Sequence, residues 1–286
     1  MMWTTNYGRL ATATMFTLFF AGDVYAPGAT ISDSTGFKTL NYTSRSSQGV
    51  VTIQFFLQKY YLQFISSVAK KLKNKSNVLG FNTMNEPSNG FVGFKDLKKR
   101  TMPIPFGHKL SAFEGMRLAS GDRLTDIEFY KAPFKFQERV TLNEERRTVW
   151  KSSKHDVWRN EGIYEIDAQT GERILLKPDH FAFEGDFIEI FMKPFYEKVQ
   201  RVVSEQNKKF IVYAEPHIDL FAPAVPNAPD LDVNKFGWSP HWVCFTSHQI
   251  MCYSSNHLFP NLSFTFLSFL KLLSSDGSSM IWQHFF

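Results

Sequence analysis

Apolar side chains return at three- and four-residue intervals from Val51 to Lys73, where Phe55, Phe56, Tyr60, Phe64, Val68 and Leu72 would form one stripe of an amphipathic helix. The same period recurs from Phe187 to Gln206 through Ile190, Phe191, Phe195, Val199, Val202 and Val203. Each helix runs into a short strand-like segment, Asn77 to Asn82 after the first and Phe210 to Ala214 after the second. Helix followed by strand, twice over, is the order of a parallel sheet. Upstream, Leu10 to Gly22 (LATATMFTLFFAG) follows Arg9 and resembles the apolar part of a secretory signal. Thr12, Thr14 and Thr17 interrupt the run, and Phe16, Leu18 and Phe20 alternate at a period of two, so a buried strand is expected there instead. Ala26 to Gly49 reads as a Gly/Ser-rich loop. The long stretch from Phe91 to Phe183 reads as an insertion on a rim rather than core, with one hairpin, Ile163 to Asp167 turning through Ala168-Gln169-Thr170-Gly171 into Arg173 to Leu176. No segment repeats, and none reaches the ~18 apolar residues of a membrane span.

Composition narrows the class. The chain has 286 residues, 43% apolar and 21% charged, enough to bury a core as one large domain or two small ones and not the make-up of a disordered or collagen-like chain. Its net charge is +5, and the dense basic runs, Lys70 to Lys75 and Lys98-Lys99-Arg100, read as solvated surface, so no nucleic-acid partner is expected. Cys244 and Cys252 lack the CxxC pairs or His partners of a zinc site and exclude a disulfide scaffold. From about Leu258 to Phe286 the composition turns abruptly to Ser, Phe and Leu, of the kind a shifted reading frame or retained intron leaves, and its exposed Phe would be an aggregation hazard. The expected organisation is therefore residues 1–257 as one partial domain with the insertion at 91–183, and residues 258–286 as a foreign tail.

Two strands end in carboxylates. The first segment leads into Thr83-Met84-Asn85-Glu86-Pro87 and the second into Glu215-Pro216. In a parallel barrel the C-terminal ends of strands carry the active site. Glycoside cleavage needs a carboxylic acid to protonate the leaving oxygen and, in retaining enzymes, a second carboxylate to attack the anomeric carbon. Glu86 fits the acid, and the Asn85 amide could bind the 2-hydroxyl. An isolated Asn-Glu-Pro is equally a turn before a proline. The strand before it favours chemistry.

With FNTMNEPSNGFVGF, YGRLATATMFTLFFAGDVYAP and TMPIPFG, the chain resembles glycoside hydrolase family five, in the branch of fungal glucosylceramidases and steryl β-glucosidases related to endoglycoceramidases. The resemblance covers about Trp3 to Trp242. It implies an α/β fold, a (β/α)8 TIM barrel represented by about strands three to six, with the first and last two strands absent. It implies that Glu86 is the acid/base with Asn85 beside it, and that Asp23 of AGDVYAP, at the end of strand three, holds glucose hydroxyls. GWSPHW resembles the branch's APHWYD, which makes His241 and Trp242 substrate-binding candidates, but Val243 stands where a tyrosine is expected. In the family the nucleophile follows that strand, whereas Glu215 precedes His241 and resembles the strand-five Glu-Pro. No glutamate follows Glu215, and Asp276 lies in the tail. The nucleophile is expected to be absent, Glu215 being the one weak candidate.

Bland readings suffice elsewhere. His217 and Asp219 match no metal pattern, so no metal and no cofactor are expected. His108, His155 and His180 read as locally satisfied. Trp150, Trp158, Phe106 and Phe113 could stack on sugar or lipid but more often build an insertion's own small core. The sequons at Asn41, Asn74 and Asn261 matter only on a secretory route. A cytoplasmic location is expected, with secretion open if residues 10–22 act as a signal. The resemblance implies a retaining β-glucosidase of a glucosylated lipid, with membrane-surface contact through that substrate and no stated oligomeric state. Two alternatives stay open: a fragment without a nucleophile, dead or unable to fold, and a lipid- or partner-binding protein.

Overall fold

A computed structural model describes residues 8–32, 49–100, 106–132, 134–216 and 231–239, all within the unit Met1–His241. The chain opens on a helix, α1 (Leu10–Tyr25), where a strand was expected. The correction has a physical cause. Thr12, Thr14 and Thr17 are buried along with Phe16, Leu18 and Phe20, so the helix has no polar face and no amphipathic period to read. Its threonines are instead occupied. Thr17 Oγ1 donates to Ala13 O at 2.7 Å and accepts from the Phe91 amide at 2.9 Å, while Thr14 Oγ1 accepts from Trp158 Nε1 at 2.9 Å. The helix kinks at Ala21. Among the described residues no helix is long and apolar enough to cross a membrane.

Strands β1 (Thr30–Ser32) and β2 (Val50–Thr52) pair antiparallel, so β1 falls inside the stretch expected as a loop, of which residues 33–48 lie outside the described residues. Helix α2 (Ile53–Leu72) follows, its first turn capped by Thr52, whose hydroxyl accepts from the Phe55 amide at 3.3 Å. The helix is where its periodicity put it, but its buried face differs. Leu62, Ile65 and Ala69 face the core, whereas Phe64 of the expected stripe is 62% exposed. Both faces are apolar, so period alone could not choose between them. Strand β3 (Gly80–Asn82) comes next.

The segment 91–183, expected as a rim insertion rather than core, contributes to the core. It contains strand β4 (Gly107–His108), helix α3 (Ala112–Ala119), the long hairpin β5 (Leu124–Ala132) and β6 (Lys135–Leu142), a short helix α4 (Val157–Asn160) and the anticipated hairpin β7 (Tyr164–Ile166) and β8 (Arg173–Leu175). Phe91, Leu97, Met116, Trp158 and Phe181 are buried and belong to one core with Phe16 and Phe20 of α1. Phe91, Phe113, Trp158, Tyr164 and Phe181 of this segment thus pack into the main core, where Trp158 stacks edge-on against Phe181 at 5.0 Å and Phe91 at 5.8 Å. Polar links fasten the segment internally. Ser111 and Glu114 form a capping box on α3, buried Asp122 takes Arg117 at 2.7 Å and Arg173 at 2.5 Å, and buried Asp156 accepts from the Tyr164 hydroxyl and from Ser120 Oγ at 3.0 Å.

A π-helical turn (Ile188–Met192) leads into α5 (Lys193–Ser204), which buries Phe195, Val199, Val202 and Val203. Strands β9 (Ile211–Ala214) and β10 (Phe236–Trp238) complete a parallel sheet of order β10-β9-β3, with Phe81 and Phe236 both opposite Val212. Helix α2 precedes β3 and α5 precedes β9, the crossover order expected. Among the described residues this sheet has three strands and closes no barrel. Close packing of β3 on β9 requires Gly80, where a Cβ would sit 1.9 Å from Ile211 O. Gly80→Ala should therefore spread these strands and cost at least ~2 kcal/mol, read as a lowered midpoint in urea unfolding; an unchanged midpoint would show that the strands do not approach so closely.

Candidate active site

All three parallel strands end on one edge. Thr83 N–H donates to Tyr213 O at 2.8 Å and Ser239 N–H to Ala214 O at 2.9 Å, so the register continues past each strand and brings the residues after them together. Glu215 lies in the centre and is buried. Its Oε1 accepts from Asn82 Nδ2 at 2.8 Å and its Oε2 from the Glu86 amide at 2.5 Å. Asn82 Nδ2 also reaches Ser239 Oγ at 3.0 Å and Asn82 Oδ1 accepts from the Met84 amide at 2.9 Å, so one side chain ties all three strand ends.

The loop bearing Glu86 turns sharply. Glu86 has φ +45°, a left-handed conformation uncommon for a side chain that is neither Gly, Asn nor Asp, and such positions concentrate where function fixes the backbone. Its amide is held by the Glu215 carboxylate, while the residue itself stays partly exposed. Asn85 is exposed beside it. The far end of the loop is pinned to α1: Gly90 has φ +63°, and a Cβ there would lie 2.4 Å from Ala13 O.

Two tyrosines support the site from the helix layer. Tyr61 of α2 donates to Thr83 O at 2.7 Å, and Tyr196 of α5 donates to Glu215 O at 2.8 Å. Burial, with the negative charge of Glu215 adding to it, pushes the Tyr61 hydroxyl up to about 12 and raises that of Tyr196 as well. A tyrosine whose pKa is raised on folding stabilises fully below its unfolded value of 10.0 and loses that contribution as pH climbs to about 12. Tyr61→Phe should thus be destabilising by about 1 kcal/mol near neutrality, through the lost hydrogen bond, and should show a shallower loss of stability between pH 10 and 12 than the parent. Parallel alkaline profiles of the two proteins would contradict this.

The structure joins Glu86 and Glu215 but not Asp23. Instead of ending a third strand, Asp23 lies exposed in the last turn of α1, its amide donating to Gln54 Oε1 at 2.9 Å. Its charge acts on Lys198 of α5, whose pKa burial lowers and Asp23 partly restores. No hydrogen bond among the described residues links Asp23 to the Glu86 loop. His241 and Trp242, together with His217, Asp219, both cysteines and the tail, lie outside the described residues. His155 meets Ser152 Oγ nearby in the chain at 2.8 Å, whereas His180, expected to be locally satisfied, meets Tyr25 O at the end of α1 at 2.9 Å. Burial and the nearby Arg9 lower His108. Among the described residues no cluster of His, Cys, Asp and Glu could hold a metal. Asn82, Ser239, Tyr61 and Tyr196 escaped the sequence reading; a polar residue in the last position of β3 was the one available signal.

This α/β arrangement matches solved folds. The crystal structure of Cryptococcus neoformans sterylglucosidase 1 superposes with a TM-score of 0.66 at 24% identity, over 85% of this chain and 35% of that one. In sequence, the chain is 31% identical over 254 residues to a glucosylceramidase of Rhizopus delemar, covering 85% of this chain and 34% of that protein. It is 27% identical over 268 residues to an ergosteryl-beta-glucosidase of Saccharomyces cerevisiae, covering 81% and 32%. The chain thus spans about a third of the length of the curated relatives it matches. No family model matches it.

Proposed function

We propose that this sequence belongs to a retaining β-glucosidase of glucosylated lipids, a glycoside hydrolase of family five built on a (β/α)8 barrel, and that it supplies the acid/base, Glu86. The meeting of Glu86 with Glu215 at the C-terminal edge of a parallel sheet carries the reading, because barrel enzymes gather their carboxylates there. The relatives' names, glucosylceramidase and ergosteryl-beta-glucosidase, set the substrate class: a β-glucoside of ceramide or sterol. Glu86 would protonate the glycosidic oxygen as the lipid leaves, and then take a proton from water. Asn85 would hold the 2-hydroxyl, with His241 and Trp242 lining the sugar site. Asp23, which the resemblance assigns to glucose hydroxyls, would have to reach them from the exposed last turn of α1.

Glu215 is the anchor rather than the nucleophile. Both its oxygens accept N–H donors from the loop and from Asn82, and it precedes His241 in chain order. The nucleophile then comes from outside this sequence. A 2-fluoroglucoside inactivator tests this in a glucoside-hydrolysing protein that contains the sequence: the labelled peptide should lie elsewhere, and Glu215→Gln should slow turnover while still allowing the adduct to form. Label on Glu215 would make it the nucleophile, and failure to form any adduct would remove the retaining mechanism. The same two engaged oxygens favour one second reading, a chain that by itself binds without turnover; hydrolysis of a β-glucoside by the 286-residue chain alone would exclude it.

A further inference from the structure

The hairpin of β5 and β6 ends in a patch the fold does not use. Ala132 pairs with Lys135 at the tip of the hairpin. Phe134 is 57% and Phe136 51% exposed, and Lys131 and Lys135 beside them are exposed as well. Phe134 has φ +60°, disfavoured for an L side chain, and the reasoning from such an outlier runs towards function. Phe136 meets Tyr130 edge-on at 5.9 Å across the two strands. Charge is one-sided here: FYKAPFKF, from Phe129 to Phe136, has two lysines and no acid. The carboxylates below the tip are engaged by cations, Glu128 by Lys109 at 3.2 Å and Asp126 by Arg139 at 2.9 Å. Glu138, further down β6, accepts from Gln137 at 3.2 Å.

We propose that this tip docks on an anionic lipid surface, with Phe134 and Phe136 entering the headgroup layer and Lys131 and Lys135 paired with phosphate or carboxylate headgroups. Aromatic rings flanked by lysines are the side chains that settle at a membrane interface. A protein partner fits less well, because a stable protein interface buries about 800 Å² per side and the narrow tip of one hairpin offers little of that. A bilayer accepts a narrow tip. The inference stands on the hairpin and not on the glucosidase reading, and vesicles without glycolipid keep the two apart.

The test is co-sedimentation of the 286-residue chain with phosphatidylcholine vesicles, with and without phosphatidylserine. Binding should require phosphatidylserine and weaken as salt is raised. Phe134→Asn with Phe136→Thr, residues that suit a left-handed turn and a strand, should lower partitioning by about tenfold without moving the thermal midpoint. Lys131→Glu with Lys135→Glu should abolish the preference for anionic vesicles. Because the Phe-rich tail could itself bind lipid, an environment-sensitive fluorophore on Phe134→Cys, with Cys244→Ser and Cys252→Ser, reads the tip directly and should shift to the blue on binding. No binding, equal binding to neutral vesicles, binding indifferent to the tip substitutions, or a fluorophore that stays in water would each overturn the proposal.

Discussion

Glu86→Gln, in a glucoside-hydrolysing protein that contains this sequence, should reduce turnover of glucosylceramide or a steryl glucoside by ~10²–10⁴-fold. The alkoxide of a ceramide or sterol is a poor leaving group and departs only if protonated. An activated aryl glucoside needs no such proton, so its bond cleavage should be nearly spared. Hydrolysis of the aryl adduct would still be slow, since the same carboxyl must then act as base. Added azide, which attacks without base help, should restore its turnover. The geometry explains why the glutamine should fold: Glu86 is held through its main-chain amide, which the substitution leaves in place on Glu215. Equal losses on both substrates, with no rescue by azide, would remove Glu86 from the acid/base role.

The contrast with Glu215→Gln follows from the same contacts. A glutamine can accept through its carbonyl from only one of the two donors, Asn82 Nδ2 or the Glu86 amide, and its own NH2 would face the other. The loop should therefore shift, and with it the position of the acid, so turnover falls through misplacement of Glu86 rather than loss of a reacting group. The two variants are separable by their pH profiles. Glu86→Gln should erase the limb that reports the acid, and Glu215→Gln should keep that limb at lower amplitude.

What could be read from the sequence was what local patterns encode. Helices α2 and α5 declared themselves because apolar residues recur along each at three- and four-residue intervals, although in α2 that period did not say which face is buried, and the strands after them because β-branched and aromatic residues end in Asn-Glu-Pro and Glu-Pro. Helix α1 was hidden by its own burial. With threonines satisfied inside the core, polar residues no longer mark solvent, and a period of two emerges by accident. The β5–β6 hairpin was missed for the opposite reason: the first five residues of β6 are exposed on both faces, so no alternation forms. In the site, Glu86 and Glu215 were legible from position at strand ends. Asn82 with Ser239 was not, because the partners are 157 residues apart and only the parallel register brings them together. Asp23 was misplaced along with the helix that carries it.

Trp158→Ala should be among the most damaging single changes to the described fold, costing roughly 3–5 kcal/mol. The indole is fully buried and packs edge-on against both Phe91 and Phe181. Its Nε1–H donates to Thr14 Oγ1 inside α1, so truncation leaves a cavity and also strips a partner from a buried hydroxyl. These contacts join segment 91–183 to α1, and α1 in turn holds the Glu86 loop through Thr17 Oγ1 and the Phe91 amide. Damage at Trp158 should therefore travel to the site. Urea unfolding of the variant should show a lowered midpoint, and hydrogen exchange should show early loss of protection at the Phe91 amide. Trp158→Phe, which keeps a ring but not the donor, should recover most of the packing and leave a deficit of about 1–2 kcal/mol from the unpaired Thr14 hydroxyl. If segment 91–183 were an independent rim element, Trp158→Ala would lower its own protection and leave that of α1 untouched, which is the result that would refute the shared core.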